Sequence, residues 1–115
     1  NLPMNRQVAP LITLPPPPLA LNLERDGEKK AVFQAFKLNG KKRLSEEVLQ
    51  AALATFKQQE ILYKDLHRIP DAVENAYRQN GWIVKVYLPR QDLAAGVLTI
   101  QILEEAAGTG SALKP

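Results

Sequence analysis

The side chains that could take part in catalysis or metal binding are few and scattered. The chain has no cysteine and hence no thiolate nucleophile. His67 is the only histidine, and no second metal ligand lies at useful spacing from it, so we predict no zinc site. Ser45 and His67 could be combined with an aspartate as a hydrolytic triad, but nothing in their spacing supports it. The neighbouring carboxylates Glu46–Glu47 and Glu104–Glu105 point in different directions, which is typical of solvated charge. We predict a protein that is not an enzyme and holds no metal or cofactor.

The charge of the chain is mildly positive. Fifteen Lys and Arg against twelve Asp and Glu give a net charge of +3, whereas nucleic-acid binders concentrate more positive charge on one face. The basic patch Lys41–Arg43, with Lys29 and Lys30, is interpreted as a solvated turn; the alternative is that it attracts an acidic client or anionic lipid. The chain lacks a Gly-x-x-Gly loop and has few strand aromatics, so an RNA-binding module is the remote alternative. We predict no nucleic-acid and no small-molecule partner.

Length and composition favour one small domain with irregular ends. The chain has 115 residues, of which 45% are hydrophobic, and no run approaches the ~20 apolar residues of a membrane span. No signal peptide is predicted, so an exported protein would be represented here by a mature or excised part. We divide the chain into a proline-rich extended arm or linker (1–30), a folded domain (31–105) and a flexible exit segment (106–115).

The arm contains the run Pro15–Pro18, which holds the backbone near the polyproline II conformation. We interpret the arm as a semi-rigid linker, the alternative being a ligand for an aromatic-lined groove. Whether it docks on the domain is left open.

Hydrophobic periodicity predicts five elements in the folded domain. The strands are Val32–Leu38, Trp82–Leu88 and Val97–Leu103, and the helices are 46–57 and Asp65–Gln79. Ser45 is a good N-cap for the first helix, and Gly81 is suited to end the second. Pro70 requires the second helix to begin close to it. The order β-α-α-β-β predicts an α+β fold in which two helices pack on one face of a three-stranded mixed sheet and leave the other face open.

Three stretches in a fixed order carry a family resemblance. The first is the strand that ends at Gly40, and the second is Tyr77-Arg78-Gln79-Asn80-Gly81-Trp82. The third is Leu88-Pro89-Arg90-Gln91-Asp92-Leu93, followed by Gly96-Val97-Leu98-Thr99-Ile100. With them, the segment from Val32 to Glu104 resembles the POTRA domain of two-partner secretion transporters of the TpsB (ShlB/FhaC) type. Pro70, and Glu105 where the family often has glycine, depart from the pattern.

The resemblance implies the POTRA fold and a role in protein transport. The domain would lie on the periplasmic side of the Gram-negative outer membrane, in front of a C-terminal outer-membrane β-barrel of the same chain. It would bind the unfolded N-terminal secretion domain of a secreted exoprotein, as a chaperone does, and deliver it to the barrel. The alternative within the same fold is a POTRA module for outer-membrane protein assembly or a cell-division scaffold.

The resemblance also implies that the second strand, Trp82–Leu88, lies at a sheet edge beside the second helix. An exposed edge can accept an extended peptide by β-augmentation. Ile83 and Tyr87 would face away from the helices, where they contact a client or brace each other. Gln91 and Asp92 would contact the client or stabilise a turn, and Tyr77 and Trp82 are expected to be core or corner residues. The predicted partner-binding set is Trp82, Ile83, Val84, Lys85, Val86, Tyr87, Leu88, Gln91 and Asp92.

Overall fold

The computed structural model of the protein describes residues 14–104. Predictions that fall on 1–13, and on the exit segment after residue 104, lie outside the described residues.

The described residues form three α-helices, five strands and two 3₁₀ turns. The helices are α1 (Leu23–Asp26), α2 (Glu46–Leu53) and α3 (Arg68–Gln79). The strands are β1 (Lys30–Ala31), β2 (Ala35–Asn39), β3 (Ile61–Leu62), β4 (Lys85–Tyr87) and β5 (Val97–Leu103). The 3₁₀ turns Ala54–Phe56 and Tyr63–Asp65 follow α2 and precede α3.

The main sheet has three strands in the order β2-β5-β4. The last strand in sequence is therefore the central one. It pairs in parallel with β2, where Leu38 lies opposite Ile100, and antiparallel with β4, where Val86 lies opposite Ile102. Helix α3 packs on α2 and on β4, and the predicted α+β arrangement is confirmed.

The core lies between the sheet and the two longer helices. Alternate strand residues and one stripe of each helix supply it, as the two periodicities require. The buried side chains of these elements are Phe36, Leu38, Leu49, Leu53, Ile69, Val73, Ala76, Tyr77, Val86, Leu98, Ile100 and Ile102. The alternate residues of β4 and β5 lie on the other face, where Lys85 and Val97 are exposed and the rest are half-buried.

Both ends of α3 follow local rules. Pro70 is the third residue of the helix, where its missing N–H would have had no intrahelical acceptor. At the other end, the Gly81 N–H donates to the Arg78 carbonyl and the Trp82 N–H to the Tyr77 carbonyl. This Schellman motif needs a left-handed residue, and Gly81 has φ +88°.

The first two predicted strands begin later than the periodicity predicts, whereas β5 has the predicted bounds Val97–Leu103. At the start of the second predicted strand, Trp82 uses its N–H to close α3, so regular pairing begins only at Lys85. In the first, the Phe33 carbonyl accepts from the Gln58 N–H at 2.8 Å, and the strand begins at Ala35. Elements α1, β1 and β3 were not predicted, because segments of two to four residues carry no measurable period.

Candidate functional site

Strand β4 lies at one edge of the main sheet. On its outer side, the Val86 N–H donates to the Glu74 carboxylate of α3 at 2.9 Å. A helix side chain thus occupies the position that a carbonyl group of a neighbouring strand would take. Sequence reasoning missed Glu74, although it borders the apolar stripe of its helix.

The proline-rich arm continues the edge of the sheet beyond β4. The Leu19 N–H donates to the Leu88 carbonyl at 2.8 Å, and the Arg90 N–H donates to the Pro17 carbonyl at 3.0 Å. Pro18 lies opposite Pro89 in this antiparallel bridge. An N–H at either position would point away from the partner segment in this pattern, so neither proline removes a hydrogen bond of the bridge.

Two further contacts hold the arm in place. The Tyr87 hydroxyl donates to the Pro16 carbonyl, and the half-buried Leu19 and Leu21 pack against the core. The question that the sequence left open is therefore answered for residues 16–21: this part of the arm docks on the domain. The aromatic residue that contacts the proline run is Tyr87, through its hydroxyl group. The boundaries predicted at residues 30 and 105 stay predictions.

A cleft of about 410 Å³ lies where the arm, β4 and the N-terminal part of α3 meet. Its apolar lining includes Leu19, Leu21, Leu66, Pro70, Val86 and Leu88. Lys64, His67 and Asp71 lie at the same cleft. The cleft thus places apolar side chains next to the backbone of a strand. It can receive the apolar side chains of an extended peptide.

Glu104, at the end of β5, is buried among hydrogen-bond donors. Its side chain accepts from the Tyr77 hydroxyl at 2.6 Å and from the backbone N–H groups of Lys42 and Arg43 at 2.8 and 2.9 Å. Only 3% of the residue is exposed. The expectation that Glu104 is an ordinary solvated carboxylate is therefore wrong. The sequence did not indicate its burial, because its partners lie far away along the chain.

Burial and hydrogen bonding together set the pKa values of this cluster. Burial alone would raise the pKa of Glu104, but the Tyr77 hydroxyl and the two backbone N–H groups hold that pKa below its ordinary value. Burial, together with the hydrogen bond to Glu104, raises the pKa of Tyr77. The Arg43 guanidinium lies 4.1 Å from the centre of the Trp82 ring and 3.8 Å from Glu104. The cluster joins the end of β5 to the turn after β2 and to α3.

Comparison with known proteins identifies the fold and its family. The family model for the ShlB-type POTRA domain matches residues 32–105. This chain belongs to that family. The predicted resemblance to the POTRA domain of two-partner secretion transporters is confirmed. Among curated proteins, none matches the sequence significantly.

A solved structure supports the assignment. The POTRA domain resembles CdiB from Escherichia coli with a TM-score of 0.60 and 25% sequence identity. The match covers 82% of this chain and 17% of the CdiB chain. The chain therefore spans about a sixth of the length of this relative.

The open face of the POTRA sheet carries the remaining strand candidates. Val84, Val86 and Leu88 are buried toward the helices, while Ile83 is 51% exposed. Lys85 is exposed on the opposite face, and Tyr87 is half-buried beneath the arm. The predicted alternation of these side chains is confirmed; their contact with a partner stays a prediction.

Gln91 and Asp92 organise the loop between β4 and β5. The Gln91 amide donates to the carbonyls of Pro89 and Thr99, both at 2.9 Å, and accepts from the Thr99 N–H at 2.8 Å. Asp92 accepts from the Ala94 N–H at 2.9 Å. Both side chains therefore stabilise the turn, which is the alternative to client contact that the sequence left open.

The other candidate groups have local partners in the POTRA domain. Ser45 accepts from the Val48 N–H as an N-cap, Lys41 lies 3.3 Å from Glu46, and His67 lies 3.1 Å from Asp71. Within residues 14–104, no group of three or more potential metal ligands comes together. No helix in this range is long and apolar enough to cross a membrane.

Proposed function

We propose that this POTRA domain binds an extended, unfolded segment of a secreted protein and passes it to an outer-membrane β-barrel in the same chain. The domain would lie on the periplasmic side of the membrane. The client segment, from the N-terminal secretion domain of the exoprotein, adds as a strand to the outer edge of β4. The role is binding and release, without a chemical step.

One observation carries the proposal: the edge that begins with β4 already accepts an extended segment. The arm pairs there antiparallel through Leu19 and Pro17, although four consecutive prolines leave it few donors. An ordinary unfolded chain offers an N–H at nearly every residue and can form a longer ladder.

The backbone edge of β4 and the cleft beside it contribute differently to binding. Main-chain bonding to β4 tolerates almost any sequence, as a receptor for unfolded protein requires. The cleft between β4 and α3 favours apolar side chains, because they leave water there. Glu74 must release the Val86 N–H when a client strand takes that donor.

The family match supports export of a secreted protein over the two alternatives within the fold. It is to the ShlB-type POTRA domain, and the structural relative is CdiB. Barrel assembly and cell-division scaffolding have no such observation in their favour.

The test is a two-dimensional amide NMR titration of the 115-residue chain with an unfolded N-terminal fragment of a candidate exoprotein. We expect shifts at Val84–Arg90 and along the side of α3 that faces them, with β2 unchanged. The absence of shifts at millimolar fragment, or shifts confined to β2, would contradict the proposal.

Chemically modified peptides provide the matched control for strand addition. A bound strand directs alternate N–H groups toward the domain. N-methylation of that alternate set should abolish binding, while methylation of the intervening set should leave it nearly unchanged. Equal effects of both sets would mean that the peptide binds through its side chains alone.

A further inference from the structure

The docked arm has the form of an added strand with apolar side chains at alternate positions. Leu19 and Leu21 are half-buried against the core, while Ala20 between them is exposed. The spacing of two residues is that of one face of a strand. The arm therefore contacts the domain as an extended apolar peptide would.

The arm and a client strand would need the same backbone groups. Alternate residues of a strand direct their backbone groups to the same side, so the outer groups of Val86, Leu88 and Arg90 form one edge. The arm uses the last two. A client that pairs along the whole edge must take the Leu88 carbonyl and the Arg90 N–H from the arm.

The docked arm is suited to displacement. Prolines at 15–18 have no N–H, so over this stretch the arm bonds through its carbonyls, and its one donor in the bridge is the Leu19 N–H. A client with a full set of donors can form more main-chain bonds than the arm it replaces. Tethering keeps the arm nearby, which makes the competition intramolecular.

We infer that the arm is a tethered substitute for the client, which covers the edge of the sheet until a client displaces it. The inference rests on the proposed function and also specifies the client: an extended, uncharged segment with branched aliphatic side chains two residues apart. The Leu19 and Leu21 positions mark where those side chains enter the cleft.

A reversible lock tests the inference. Pro18 and Pro89 lie directly opposite each other in the antiparallel bridge, and the two positions of such a pair are close enough for a disulfide. The chain has no other cysteine, so Pro18→Cys with Pro89→Cys forms one defined bond. The reduced form of the same variant is its matched control. The probe is a short synthetic peptide that alternates Leu with Thr.

We expect the oxidised variant to bind the peptide at least about tenfold more weakly than the reduced variant, since locking lowers the fraction of binding-competent protein. Leu19→Pro removes the donor to Leu88 and should strengthen peptide binding. Ala20→Pro is its control, because the N–H at position 20 points away from the edge in this pattern, and it should bind like the natural chain.

The outcomes separate the two proposals. Equal binding by the oxidised and reduced forms would overturn the role of the arm and leave the client site intact. Failure of every form to bind, including Leu19→Pro, would overturn both. Tighter binding by Ala20→Pro and Leu19→Pro alike would show that stiffening of the arm, and not loss of the Leu19 bond, controls access.

Discussion

Glu104 shows how one side chain can join three separate parts of the domain. Its carboxylate accepts from a helix hydroxyl and from two backbone N–H groups of the turn after β2. Hydrogen bonds to a charged acceptor contribute about 1.5–3 kcal/mol each. The Arg43 guanidinium adds a longer contact, with its Nε 3.8 Å from the carboxylate.

Replacement of Glu104 should make stability less dependent on pH. The folded-state pKa of this carboxyl is held below its ordinary value, so its contribution is present above the unfolded-state pKa and is lost as the pH falls through the folded-state pKa. Glu104→Gln should lower the free energy of unfolding by about 2–3 kcal/mol at neutral pH, and by less in acid. Urea unfolding measured from neutral to acidic pH checks this.

Tyr77→Phe is the control for that measurement. It removes the hydroxyl that donates to Glu104 and keeps the buried ring. The two substitutions should couple in a double-mutant cycle, because Tyr77→Phe removes the hydrogen bond whose charged acceptor Glu104→Gln makes neutral. Two results would contradict the assigned role of the carboxylate. One is that the two substitutions lower the free energy of unfolding additively. The other is that this free energy falls as steeply in acid for Glu104→Gln as for the natural chain.

Gln91 should stabilise the loop through its donor and acceptor atoms together. Gln91→Leu should lower the free energy of unfolding by about 1–3 kcal/mol, since it leaves backbone groups of Pro89 and Thr99 without their partner. Gln91→Glu keeps an acceptor for the Thr99 N–H but turns a carboxylate oxygen toward the carbonyls of Pro89 and Thr99, so at neutral pH it should lose at least as much stability as Gln91→Leu. Equal stability of all three chains would mean that the loop does not depend on this amide.

At the scale of the elements, Glu74 determines how far the β4 edge is open. Glu74→Ala should free the Val86 N–H and promote edge pairing, both with client peptides and between copies of the domain. Glu74→Gln retains an acceptor for that N–H and should associate no more than the natural chain. Analytical ultracentrifugation over a range of concentrations compares the two variants; a monomeric Glu74→Ala chain would contradict a protective role.

The predictable features are those set by neighbours in sequence. Ser45 caps a helix through a residue three positions away, and Gly81 ends one within a single turn. Strand alternation likewise follows from period two, which is why the face of each β4 residue could be predicted. The boundaries of the elements were predicted less accurately. Trp82, for example, uses its N–H to close α3 and therefore does not begin the strand.

The features that could not be predicted depend on distant partners. Glu104 meets Tyr77 across 27 positions and the turn residue Lys42 across 62. The arm contacts Tyr87 across 71 positions. No periodic signal connects residues at such separations, so burial of a carboxylate and docking of a proline run become apparent only in the folded structure.

At the scale of the whole molecule, the placement of β5 has a consequence for folding order. Of the described strands, β5 comes last in the sequence and lies between β2 and β4, so neither edge strand can pair within the main sheet until residues 97–103 are present. A chain that emerges with its N-terminus first can form α2 and α3 early, but the sheet must wait. Such long-range pairing slows folding.

The domain should therefore fold in a single late step. A fragment that ends at residue 96 should lack the amide dispersion of a sheet, and addition of a peptide that spans β5 should restore it. A folded fragment without β5 would contradict this order. On this order, the main sheet stays unformed until residues 97–103 are available to pair with both edge strands.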